Sequence, residues 1–165
     1  MKNILFTLGL ILALSCNVLY AAEVGKDKVI SEIGSLVNAQ KYQIALTKCN
    51  AALQKYPQEA FLYYWRGSIE NSTGNKQAAL ADLNKSITFD EKNSKAYILR
   101  GIIKSELGDN EGAMVDINKA IEIDPNDSAA YSMRACIKLD MGEFDSANED
   151  LDMANKLMNS KQEEK

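Results

Sequence analysis

The sequence predicts an all-α fold assembled as an array of helix–turn–helix units. Three observations carry that prediction. One phrase of the chain returns every 34 residues, starting at Leu62, Ala96 and Ala130. Within each copy the apolar positions follow helical spacing, as at Tyr97, Ile98, Gly101 and Ile102 and again at Met114, Ile117, Ala120 and Ile121. Glycine and proline fall where helices of that length have to end.

The first segment, MKNILFTLGLILALSCNVLYAAEV, stands apart from the array. Lys2 gives a short positive start, Ile4 to Leu14 is an apolar run, and the chain turns polar from Glu23 to Lys28. That run fits a signal segment and is short for a membrane span. We expect residues 1–22 to be an export signal. Two processing routes are open. Cleavage after Ala21 or Ala22 releases a soluble protein. Alternatively ALSC, residues 13–16, is a partial lipobox that makes Cys16 the candidate lipidation residue, with Ala13 where leucine is usual. An acylated Cys16 would tether the protein to a membrane.

The array is expected over residues 26–158, as units 26–59, 60–93, 94–127 and 128–158, with a polar tail at 159–165. Six positions align in the last three units: Tyr63, Tyr97 and Tyr131; Arg66, Arg100 and Arg134; Gly74, Gly108 and Gly142; Ala79, Ala113 and Ala147; Asp82, Asp116 and Asp150; Ser86, Ala120 and Ala154. The aligned glycines supply the left-handed residue that closes each first helix. Pro57 and Pro125 stop second helices. The first unit is weaker. It keeps Ala45, Ala52 and the apolar spacing of Val29, Ile33, Leu36 and Val37, but no glycine precedes its turn. In the last unit Asn148 and Asn155 stand where earlier units have Leu80 or Met114 and Ile87 or Ile121, so its second helix is expected to cap the array.

Each aligned arginine precedes an aspartate by 16 residues, giving the pairs Arg66 with Asp82, Arg100 with Asp116 and Arg134 with Asp150. A helix hairpin brings those positions together, so we expect an ion pair inside each unit. The first unit holds Glu32 and Lys48 at the same places with the charges reversed.

These residues give the pattern its resemblance to the tetratricopeptide repeat. The small residues Gly67, Gly101 and Ala135 on first helices, and Ala45, Ala79, Ala113 and Ala147 on second helices, match that family's packing positions. The arginine stands where many such repeats carry leucine. The resemblance implies a right-handed superhelical solenoid whose first helices line a concave groove for a partner peptide or helix. Carried over by position, the groove would show Phe61, Tyr64, Trp65, Ser68 and Asn71, then Lys95, Ile98, Ile102 and Ser105, then Ser132, Cys136 and Leu139. Part of this set, Trp65 included, is also suited to packing between units. Some family members grip a C-terminal carboxylate with a lysine–asparagine clamp. Here Ile30 and Gly34, or Tyr64 and Ser68, fill those places, so that mode is not expected.

Composition narrows the function further. The chain has 165 residues, a formal charge of −4 and no histidine. Histidine-dependent nucleophile systems and imidazole metal sites are therefore excluded. The acidic balance argues against nucleic-acid binding. Cys16, Cys49 and Cys136 form no CxxC motif, and Cys49 is expected to be a small core residue. The phrases GDNEGAMVDINK and DPNDSAAYSMRA fail as calcium loops because neither ends on the required glutamate. We therefore expect no catalytic residue, no metal and no cofactor. The expected function is an exported scaffold or adaptor, periplasmic, secreted or lipid-tethered in a bacterial envelope. A self-assembling structural subunit of an envelope complex is the alternative. An enzyme or small-ligand binder has no motif to support it.

Overall fold

The structure, a computed structural model, describes residues 23–163; the expected signal segment and Cys16 lie outside the described residues. Among the described residues all regular structure is helical, in eight helices. Helix α1 covers 23–38. It is followed by α2 (Tyr42–Lys55), α3 (Ala60–Ser72), α4 (Lys76–Phe89), α5 (Ser94–Glu106), α6 (Asn110–Ile123), α7 (Ser128–Asp140) and α8 (Phe144–Glu163). The chain is thus an all-α helical repeat. It divides after Pro57 into two compact units.

The first unit is the hairpin α1–α2. Ile33, Val37, Ala45, Cys49 and Leu53 are buried. Its helix is already formed at residue 23, three residues before the expected start, and Lys26 pairs with Glu23 there at 3.7 Å. Gln40 occupies the turn with φ +58°, the one non-glycine residue with positive φ among the described residues. The amides of Gln40 and Lys41 reach back to the carbonyls of Val37 and Leu36. This is the helix-ending pattern that a left-handed residue makes possible.

The second unit contains three hairpins, α3–α4, α5–α6 and α7–α8. Gly74, Gly108 and Gly142 close their first helices with φ of 86°, 86° and 80°. The next helix then starts at once. Asp109 accepts a hydrogen bond from the Gly112 amide at 2.8 Å and so caps α6. Glu111 lies in the first turn, where the helix dipole favours a negative charge. The acidic phrase around Asp109 is helix punctuation.

Inside each hairpin the two helices approach closely through missing side-chain bulk. A Cβ on Gly101 would stand 2.9 Å from Ile117 Cδ1, and one on Gly67 would stand 3.1 Å from Leu83 Cγ. Ala79, Ala113 and Ala147 are fully buried opposite. Ile69, Ile103 and Ile137, spaced by one period, fill the centre. Each such side chain contributes roughly 2–3 kcal/mol by leaving water.

Successive hairpins meet mainly where a second helix packs on the next first helix, α4 on α5 and α6 on α7, and first helices touch as well. α3 contacts α5 and α5 contacts α7, while among the described residues no such contact joins α4 to α6 or α6 to α8. The first helices therefore take the inner side of this unit and the second helices fan outward. At its end Asn148 and Asn155 are exposed, and so are Leu151 and Met158. The last helix runs through Glu163, so residues 159–163 of the polar tail are helical. No glycine or proline follows Met158 to stop the helix.

The left-handed turn makes a direct prediction. Gln40→Gly relieves a strain that costs a side-chain-bearing residue about 1 kcal/mol. Part of that gain is offset by the freer unfolded chain. Urea unfolding should show stabilisation of up to about 1 kcal/mol. Gly108→Ala, which introduces the same strain, should lose a similar amount.

Candidate partner-binding groove and its ion pairs

The groove residues lie on α3, α5 and α7 at successive turns of each helix, on the first-helix side of the second unit. They do not share one environment. Phe61, Lys95, Cys136 and Leu139 are exposed, with Phe61 at 38%. Ser68, Asn71, Ile102, Ser105 and Ser132 are half-buried. Two others also pack on the core. Tyr64 packs against Ala79, Leu83, Ala96 and Ile103. Ile98 packs against the Tyr97, Ala120, Ala130 group and the Ala113, Ile117, Ile137 group. Both are half-buried like Ser68 and Ile102, and each also fills part of the seam between hairpins. Burial pushes the Tyr64 hydroxyl pKa up from its ordinary value.

An aromatic run leads from the exposed end of α3 inward. Phe61 meets Tyr64 edge-on at 6.4 Å between ring centres, and Tyr64 meets Trp65 at 5.0 Å. Trp65 is half-buried, so it is neither wholly core nor freely exposed. Some hydroxyls are already engaged. Ser132 donates to the Ser128 carbonyl at 3.0 Å, and Ser105 donates to Asn110 Oδ1 at 3.1 Å. Phe61, Ser68, Lys95, Ile102, Cys136 and Leu139 remain as the surface a partner can reach.

The side of each first helix turned toward its own second helix carries the charges. Arg100 donates through Nε and Nη2 to both carboxylate oxygens of Asp116, at 2.9 and 2.6 Å. Its third nitrogen donates to Asn84 Oδ1 on the preceding hairpin at 2.8 Å. Arg134 repeats this with Asp150 at 2.8 and 2.6 Å and with Asn118 at 2.9 Å. Arg66 grips Asp82 in the same bidentate way, one bond measuring 2.8 Å. The three guanidiniums lie over Tyr63, Tyr97 and Tyr131 at 5.6, 5.4 and 5.4 Å. In the first unit Lys48 meets Glu32 at 3.1 Å, and both are substantially exposed.

The sequence reading missed two parts of this network. The asparagines 16 residues before the arginines, Asn84 and Asn118, join neighbouring hairpins. Their signal was present as a third aligned polar position. Lysines four residues after two of the arginines complete the site. Lys104 and Lys138 each place Nζ 2.8 Å from Asp116 and Asp150. In the first of the three hairpins that position is Glu70.

Asp150 shows how the forces balance. Burial alone would raise its pKa, but hydrogen bonds from Arg134 and Lys138 and their positive charges outweigh burial and lower it. The stabilisation this gives is present above the unfolded aspartate value and is lost as pH falls through the lowered one. Among the described residues no cluster of three histidine, cysteine, aspartate or glutamate side chains could hold a metal ion. Nor is any helix there long and apolar enough to cross a membrane.

Models of the tetratricopeptide repeat match residues 62–93 and 94–127 and, in a second version, 117–149. Together they span more than half of the chain. The chain belongs to the tetratricopeptide repeat family. A curated relative, the probable biofilm formation methyltransferase WspC of Pseudomonas putida, is 32% identical over 63 residues. That match covers 38% of this chain and 15% of the relative, so the chain spans a small part of the relative's length. Among solved structures, MamA superposes with a TM-score of 0.73 at 21% identity, covering 89% of this chain and 86% of that one. The first repeat domain of Spaghetti (RPAP3), solved bound to the HSP90 peptide SRMEEVD, superposes with a TM-score of 0.65 at 20% identity. The match covers 71% of this chain and 93% of that domain. At these identities both likenesses show the fold.

The charge network of this repeat makes the second prediction. Asp116 is 1% exposed, and removing one member of a buried pair costs about 3 kcal/mol or more. Arg100→Met should therefore be strongly destabilising. Adding Asp116→Leu should recover part of the loss, with a coupling of at least about 1 kcal/mol in a double-mutant cycle. The same cycle on exposed Glu32 and Lys48 should give at most about 0.5 kcal/mol. Equal coupling at the two sites would refute the burial argument.

Proposed function

We propose that this tetratricopeptide repeat chain is an interaction module that seats a peptide or helix of a partner protein along α3, α5 and α7. The observation that carries this reading is the makeup of that surface. Phe61, Ile102 and Leu139 give it an apolar and aromatic character, Ser68 adds a hydroxyl, and Lys95 is its one charged residue among those named. Exposed aromatic side chains are frequent anchors at interfaces. The structural neighbour solved with a bound HSP90 peptide supports a peptide as the class of ligand. The lack of a lysine–asparagine clamp favours a partner held by apolar side chains over one held by its terminal carboxylate. The chain acts without catalysis, metal or cofactor on this reading.

The sequence supports an exported location, periplasmic, secreted or membrane-tethered, through the signal character of residues 1–22. Fatty-acid labelling in the native host should mark the wild-type chain and not Cys16→Ala if the lipid route is used. Labelling of neither would favour cleavage after Ala21 or Ala22.

The partner experiment is affinity capture followed by measured binding of the captured protein. Phe61→Ala and Ile102→Ala should each weaken binding about tenfold, the loss expected from removing an interface anchor. Thermal unfolding should stay close to wild type. Tyr64 and Ile98 are unsuitable probes because their truncation opens the seam between hairpins. Unchanged binding in both variants would defeat the groove reading. Exposed Leu151 and Met158 favour self-assembly as a second reading, which the chain's mass in solution separates from an adaptor.

A further inference from the structure

We propose that Glu70, standing against buried Asp82, is a pH-sensitive latch in the hairpin α3–α4, closed when the Glu70 carboxyl carries a proton and loosened when it is ionised. The case rests on comparing three copies of one site. In α5–α6 and α7–α8 a buried aspartate faces an arginine and a lysine. Lys104 and Lys138 also donate to the carbonyls of Gly112 and Ser146, at 3.3 and 3.1 Å. Each of those sites has two cations for one carboxylate. In α3–α4 the lysine position holds Glu70, so one guanidinium, Arg66, serves two carboxyl groups.

Glu70 occupies the position from which Lys104 and Lys138 reach the buried aspartates of the later hairpins, so its carboxyl stands beside Asp82, and two carboxyls can share a hydrogen bond only if one carries a proton. Asp82 is 4% exposed and already held by Arg66. Glu70 Oε2 is buried without a hydrogen-bond partner. An ionised Glu70 therefore leaves a charged oxygen unsatisfied beside a second negative charge. With one proton the trio of Arg66, Asp82 and Glu70 is neutral, and without it the trio carries one net negative charge.

The charged groups acting on Glu70 are Asp82 from α4 and Arg66 from its own helix. Helix α5 also packs against α3; of its charges, Arg100 and Lys104 meet Asp116, Glu106 meets Lys76 at 3.2 Å, and Lys95 is exposed at its first turn. Burial first, and then the Asp82 charge, raise the Glu70 pKa, with Arg66 opposing. A raised carboxyl pKa stabilises the fold below the ordinary glutamate value, and that contribution is lost as pH rises through the raised value. This is opposite in sign to Asp150, so acid tightens the first of the three hairpins before it loosens the last.

The test uses the full chain. Carbon-detected NMR titration of the Glu70 carboxyl should place its midpoint above that of an unstructured glutamate. Hydrogen-exchange protection of α3–α4 amides should rise relative to α5–α6 as pH falls through the Glu70 midpoint. The rise should reach up to about tenfold for each unit by which the Glu70 midpoint is raised. Glu70→Gln and Glu70→Lys should both abolish that relative change. A Glu70 midpoint at or below the ordinary value, or an unchanged pH response in Glu70→Gln, would overturn the latch. The titration of the native chain decides the matter even where a variant does not fold.

Discussion

A carboxylate hidden inside a helix hairpin has to be answered by a cation, and this chain builds each hairpin of its second unit around that requirement. Asp82, Asp116 and Asp150 are all buried, and each is gripped by an arginine on the facing helix. A bidentate guanidinium fixes orientation as well as distance, since both carboxylate oxygens are held. In the last two hairpins the same guanidinium also reaches an asparagine on the hairpin before it. One side chain thereby sets the closure of a hairpin and its register against a neighbour. Burying such a pair is not in itself a strong source of stability. Its physical effect is selective: a slipped register would strand the aspartate without a partner, at a cost of several kcal/mol.

The rest of the packing follows from holding the helices at that distance. With Arg100 anchored, Gly101 is drawn against Ile117 and leaves no room for a Cβ there. Ala113 closes the same contact from the other side. Contact between first helices, without contact between second helices, then places α3, α5 and α7 side by side on the inner face. The groove is a consequence of this asymmetry. Its residues need not hold the unit together, which leaves Phe61 and Leu139 free to stay exposed.

The period made the helices legible, because a 34-residue return fixes which positions are equivalent even where no single copy is persuasive. The arginine–aspartate spacing was legible for the same reason. What periodicity conceals is the difference between copies. Glu70 aligns with Lys104 and Lys138 and reverses the local charge, a change visible only once the site is assembled in space. The groove was legible less well. Tyr64 and Ile98 share a helix face with Ser68 and Ile102, yet they turn into the seam between hairpins. Side-chain direction along a helix, and not the one-letter pattern, decides that. The helix α8 continues through Glu163 because a polar composition does not by itself end a helix; without glycine or proline the backbone ladder continues.

The separation of charge from groove bears on what the surface can recognise. Arginine, lysine and aspartate are spent on the contacts between the helices of each hairpin, and the named groove positions keep one lysine. A partner docking there meets little long-range electrostatic steering, which would otherwise raise its association rate. On the proposed groove reading, affinity comes from apolar side chains seated around Phe61 and Ile102 and depends only weakly on salt. In the same chain, the network behind the groove does respond to its surroundings. Its sites differ in sign at a single position, Glu70, and through α3 that position shares a helix with Phe61 and Ser68. A proton at Glu70 thus acts on the helix that carries the aromatic end of the groove.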